Sequence, residues 1–137
     1  MKDFNTSLLT AYYNAISALG IPIYEGEEPD DVLDNIYVVV SDVTSNDVST
    51  KSSFDFNASI QLSVHSWEYK YVNSKTLNET VNDILEAVKP DNISTLVADG
   101  VQIATTKLSQ DITQRLGILA ERKFISRILI FQHLIIY

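Results

Sequence analysis

Cysteine is absent from this chain, which excludes a disulfide framework and any thiolate metal site. Glycine occurs only at Gly20, Gly26, Gly100 and Gly117, too widely spaced to form a phosphate-cradling loop. Basic residues are scarce: ten Lys and Arg stand against 18 Asp and Glu, for a net charge of −8 at pH 7. A surface that neutralises nucleic-acid phosphates needs clustered Lys and Arg, and apart from Arg122, Lys123 and Arg127 the bases are scattered. Long hydrophobic runs are missing as well. The most apolar stretch, Ile128 to Tyr137, is about half the length of a membrane helix and is interrupted by Gln132 and His133. After Met1, Lys2 and Asp3 no uninterrupted apolar segment follows, so no secretory signal is expected. The expected setting is the cytoplasm of the producing cell, with no membrane partner.

What is present is a β-strand signature. From Phe54 to Ser66, Phe54, Phe56, Ala58, Ile60, Leu62 and Val64 alternate with Asp55, Asn57, Ser59, Gln61, Ser63 and His65. Side chains of a strand point alternately to its two faces, so this register predicts one buried and one wet side. A β-branched segment, Ile36 to Val43, precedes it and predicts a strand apolar on both faces at its centre, covered by a helix on one side and by a second sheet or neighbouring subunit on the other. Between the two lies the polar tract Thr44, Ser45, Asn46, Asp47, Val48, Ser49, Thr50, Lys51, Ser52 and Ser53, with no Gly or Pro. The expectation is a long hairpin arm protruding from the core and offering subunit contacts.

The remaining elements follow from periodicity. Leu8, Leu9, Tyr12, Tyr13, Ile16 and Leu19 form one stripe of a helix from Phe4 to Leu19, stopped by Gly20 and Pro22. Ile21 to Tyr24 is a short edge strand, followed by an acidic loop from Glu25 to Asn35. Trp67, Tyr69 and Tyr71 keep the odd-numbered phase of the preceding strand. Their pattern predicts a bulge or bend there, and favours a strand end tucked under a helix over an aromatic binding face. Ser74 caps a second helix bearing Leu77, Val81, Ile84, Leu85 and Val88, which Pro90 ends. A weaker strand from Leu96 to Leu108 carries Gly100 at a turn or bulge, Gln110 to Arg115 is a polar connection, and a strand runs from Ile118 to Tyr137. A strand that long predicts a bend, a bulge or extension beyond the subunit's own sheet.

The 137 residues, with no linker, repeat or compositional break, suggest a single domain over 1–137. Its fold class is α+β: a mainly antiparallel sheet covered on one face by two helices. Each core Leu, Ile or Phe contributes about 1.5–3 kcal/mol on burial. Two helices cannot shield every apolar position of so long a sheet. The excess at Val38 to Val40 and Ile128 to Tyr137 suggests cover by another chain.

Residues for catalysis are hard to find. His65 and His133 have no metal-ligand spacing between them or with a third partner, and both read as ordinary strand residues. The acidic cluster Glu25, Glu27, Glu28, Asp30, Asp31 and Asp34 lacks a calcium-loop pattern and reads as a solvated loop rather than a cation site. No G-x-S-x-G elbow frames a serine. The expectation is a non-enzyme without a cofactor.

Several local patterns, in this order, carry a family likeness. They are Leu8-Leu-Thr-Ala-Tyr in the first helix, Ile23-Tyr24-Glu25 before an acidic Pro-containing loop, and Tyr37-Val-Val-Val-Ser-Asp-Val in a strand. Next come the polar tract from Thr44, a strand closing on Val64-His-Ser-Trp67, a helix from Thr76 to Val88, and Asp111-Ile-Thr-Gln-Arg-Leu-Gly-Ile-Leu before a final strand. In these respects the chain resembles, over essentially its whole length, the small tail-completion proteins of long-tailed phages, also called tail terminator or head–tail joining proteins. It departs from them in its very apolar tail and in the lack of glycine at 44–53. The resemblance implies a homo-hexamer or larger ring at the head-proximal end of the tail. Such a ring ends tube growth, contacts the tail tube protein and head-completion or connector proteins, and passes DNA only as cargo. It also implies that the hairpin reaches a neighbour or the adjoining ring. A net negative subunit suits a channel that DNA crosses without sticking, with Glu25, Glu27, Glu28, Asp30 and Asp31 as candidate lumen residues. Two other readings stay open: a head-side connector ring between portal and tail, and a soluble adaptor or chaperone binding through an exposed strand edge.

Overall fold

In a computed structural model, described over residues 4–26, 36–47, 55–69, 75–90, 96, 102–119 and 122–136, the chain forms two helices and five strands. In chain order these are α1 (Phe4–Ser17), β1 (Ile23–Glu25), β2 (Ile36–Asp47), β3 (Asp55–Tyr69), α2 (Lys75–Val88), β4 (Gln102–Leu119) and β5 (Arg122–Ile136). The strands make one sheet in the order β1-β2-β3-β5-β4. Only the β1–β2 pair is parallel, so the sheet is mixed and mainly antiparallel, and the α+β expectation holds.

The apolar side of β3 is buried as expected, but its polar side is only partly wet: Asn57 is exposed, Ser59, Gln61 and His65 are half-buried, and Ser63 is buried. Phe56, Ala58, Ile60, Leu62 and Val64 are buried, together with Val38 and Val40 of β2 and Ile125, Leu129, Phe131 and Ile135 of β5. Leu8, Ala11, Tyr12 and Ile16 of α1, and Leu77, Val81, Ile84 and Val88 of α2, close over the same face in one core. The two helices therefore form a single layer, and the sheet's second face carries no helix among the described residues.

Helix ends follow local chemistry. α1 stops at Ser17, two residues earlier than its stripe predicts, and turns through Gly20, whose φ of 78° suits a residue without Cβ. Leu19 is consequently exposed and not part of the core, as is Tyr13. α2 ends on Lys89 at φ 51°, whose N–H bonds the Leu85 carbonyl at 2.8 Å, and Pro90 prevents continuation. The proposed cap Ser74 lies outside the described residues.

Three expectations need correction. Trp67 needs no bend to reach its position: β3 pairs with β5 from Asp55↔Ile136 to Tyr69↔Arg122 without a register shift. The aromatic phase simply continues on the face away from the helices, so Trp67 is not tucked under one. Gln110 to Arg115 is strand, not connection, because β4 extends to Leu119, and β5 begins only at Arg122. The bulges fall in β4 and not in the last strand, at Ile103/Thr105, Leu108/Gln110 and Arg115/Gly117. Gly117 sits at the third, with φ 154°. Such bulges are a known way of blunting an edge strand against unwanted pairing. The turn or bulge expected at Gly100 lies outside the described residues.

β2 and β3 do form a hairpin, paired as far as Asp47↔Phe56 with a bulge between Ser41 and Val43. β3 is also paired on its other edge along its full length, so the described part of the hairpin lies within the sheet. Its tip lies outside the described residues. β1 pairs with β2 only at Val38 to Val40, which leaves the outer edge of Ser41 to Asp47 without a strand partner among the described residues.

Candidate functional site

The distinctive surface is the sheet face opposite the helices. Alternation puts Tyr37 and Val39 of β2, the odd residues of β3 and the even residues of β5 on this side. At one end the register aligns aromatic rings into a row across four strands. Tyr24 meets Tyr37 edge-on at 6.1 Å between centroids, and Tyr37 lies 5.1 Å from His65. His65 stacks on Phe124 at 5.4 Å, and Phe124 stacks on Trp67 at 4.6 Å with planes 24° apart. The His65 Nδ1 and Ser126 Oγ share a hydrogen bond of 2.5 Å, fixing the ring in the row. Tyr37, Val39 and Ser126 are buried on this face, over which no helix lies among the described residues.

Further along the strands the face becomes a groove of about 430 Å³ lined by Asn57, Ser59, Thr105, Lys107, Gln132 and Leu134. Between groove and aromatic row, Ile128 and Ile130 are partly exposed and Ile112 is 44% exposed. Lys107 is the one fixed charge among the described side chains of this face. Over its described side chains this face offers hydroxyls, amides and isoleucines with a single charge, a surface suited to burial against protein. Among the described residues no three His, Cys, Asp or Glu side chains group as a metal site.

The two histidines differ in setting. His133 points to the helix side, buried, where its Nδ1–H donates to the Ala58 carbonyl at 3.0 Å and its Nε2 accepts from the Tyr12 hydroxyl at 2.5 Å. Burial pushes its pKa down to about 4, partly opposed by the bond to Ala58. On the same side Arg127 forks onto Asp111, Nε to Oδ1 at 2.7 Å and Nη2 to Oδ2 at 2.6 Å, while Nη1 donates to Asn78 of α2 at 3.1 Å. Both groups fasten the helix layer to the sheet.

Thr44, Ser45, Asn46 and Asp47 belong to β2 and pair with Ser59, Ala58, Asn57 and Phe56. Val48, Ser49, Thr50, Lys51, Ser52 and Ser53 lie outside the described residues, as do Glu27, Glu28, Asp30 and Asp31. Glu25 ends β1 and is exposed. The aromatic row and Lys107 were missed. The common odd phase of Tyr37, His65 and Trp67 was the available signal, but adding Phe124 requires the β3–β5 register.

No family model matches this chain, and no curated protein matches it. Among solved structures, the fold is similar to that of a chain in the virion of a native gene transfer agent particle, with a TM-score of 0.71. The two are 16% identical and the match covers 97% of each chain, so what they share is the whole fold.

Proposed function

We propose that this protein is a structural component of a phage-like virion, with a non-enzymatic role. The observation that carries this reading is the end-to-end fold likeness to a chain of a gene transfer agent virion, with neither chain left over. The described side chains of the open sheet face support it, because a surface of isoleucines, stacked aromatics and amides suits permanent burial in an assembly.

Within the virion, the finer role is a tail-terminating ring at the head-proximal end of the tail, ending tube growth and joining tail to head. The partners are further copies of the chain, the tail tube protein and head-completion proteins, with DNA as passing cargo. In this reading the hairpin from Thr44 to Ser53 reaches a neighbouring subunit or ring, and Glu25, Glu27, Glu28, Asp30 and Asp31 face the channel, where like charge repels phosphate.

Mass measurement under native conditions tests the assembly. The expected result is a closed ring of one stoichiometry, at high concentration or on added tail tubes. A chain that stays monomeric or dimeric in both settings contradicts it.

A further inference from the structure

Over their described side chains the two broad surfaces of the subunit differ in charge, and both expose apolar side chains. On the helix side, Asp83 and Glu86 of α2 are exposed one helical turn apart, so they share the outer surface of that helix. Tyr13 on α1 and Leu19 just after it are 41% and 40% exposed. On the sheet side stand Lys107, with no ion pair among the described residues, and the exposed Ile112.

We infer that copies of this chain associate head to tail, the open sheet face of one copy receiving the helix layer of the next, with Lys107 set against Asp83 and Glu86. The inference deepens the ring reading above and rests on it. The charges of Lys107, Asp83 and Glu86 favour this pairing over the two symmetric ones. Two sheet faces brought together in a two-fold contact put Lys107 beside its own copy and leave Tyr13 and Leu19 in water. Two helix layers brought together oppose Asp83 and Glu86 with themselves, in a chain already at −8. Sheet against helix layer joins opposite charges and covers apolar side chains on both sides. It also gives the sheet helices on each face, the environment that strands apolar on both sides require.

A contact between two unlike surfaces is heterologous, and it closes into a ring when the rotation per copy divides a full turn. Area permits this. A stable contact needs about 800 Å² per partner, about a tenth of the 8167 Å² subunit surface, so one copy can hold two neighbours.

Charge exchange between copies tests the contact. Lys107→Glu alone, and Asp83→Lys with Glu86→Lys alone, are expected to lower self-association at least tenfold. Mixing the two variants restores it, because each interface in an alternating ring again joins opposite charges. All three positions are exposed, and circular dichroism and thermal unfolding check that the variants fold. On the unaltered ring, a carbodiimide that condenses amines with carboxylates is expected to link Lys107 to Asp83 or Glu86 of another copy, read by peptide mass spectrometry. The contact is wrong if the wild type forms rings while both variants assemble equally well, if mixing fails to restore assembly, or if no such link forms; the ring reading then stands. A wild-type chain that never assembles, even on tail tubes, refutes both.

Discussion

The Tyr12 hydroxyl of α1 donates to Nε2 of His133 on β5 across 2.5 Å, inside the core that joins the helix layer to the sheet. The other ring nitrogen donates to Ala58 of β3, so the neutral Nδ1–H tautomer satisfies both partners. A protonated ring carries a second N–H where the hydroxyl now donates, and it does so away from water. The titratable side chain bonded to the ring is Tyr12. Its own pKa is raised well above the usual value by burial, so it stays protonated.

Stability is therefore expected to fall with acid. The folded His133 titrates at about 4, below its ordinary 6.5, so the unfolded chain takes up a proton first as pH falls. The contribution is complete above about pH 6.5, is lost progressively toward pH 4, and amounts to about 3 kcal/mol. Urea unfolding of wild type and His133→Asn at pH 7 and pH 4.5 checks it: the variant is less stable at pH 7 but loses less on acidification. Equal acid sensitivity of the two chains contradicts it.

Arg127 and Asp111 form a two-bonded pair that is partly shielded from water, at 19% and 27% side-chain exposure. Its planar fork, which also reaches Asn78, cannot be reproduced by an ammonium group. Both Asp111→Asn and Arg127→Lys are expected to cost about 1 kcal/mol. Denaturant midpoints at low and high salt measure this, and the wild-type advantage shrinks in salt. A cost near zero at low salt means that solvent already screens the pair.

Ser66 presents a different case. Its Oγ is buried with no hydrogen-bond partner among the described residues, which carries a desolvation penalty of about 1–3 kcal/mol. Ser66→Ala is expected to leave stability unchanged or raise it by about 1 kcal/mol, read from chemical denaturation. A clear loss shows that the hydroxyl has a partner in solution.

How much of this was legible depends on contrast. The strand 54–66 and α2 were readable because each sets apolar residues on one face and polar residues on the other, which writes the period into the sequence. The Gln110 to Arg115 part of β4 was not, because Gln110 through Arg115 are all exposed, Ile112 included, and no alternation marks them as strand. The boundary between β4 and β5 hides for a related reason: the sequence has no Gly or Asn between Leu119 and Arg122 to separate one strand from the next. Tyr12 and His133 are 121 residues apart, and the open-face rings come from four strands, so only the pairing register brings either set together. Of the site expected from sequence, the hairpin was legible as two strands, while the face with the aromatic row was not.

The hairpin tip gives a prediction about assembly. Ser45 to Asp47 are paired with Phe56 to Ala58, so a deletion that spares the fold must begin after them. Removing residues 49–52 is expected to leave thermal unfolding within a few degrees of wild type while abolishing ring formation, measured by native mass. Loss of folding assigns the tract to the core, and an intact ring removes it from the subunit contacts.

The most direct test of the central claim is electron microscopy of purified particles with the protein labelled. The account predicts label at the junction of tail and head, in one ring per particle, and tails of uncontrolled length when the protein is missing. Particles that lack the protein, or label at the distal tail tip or over the capsid surface, contradict it.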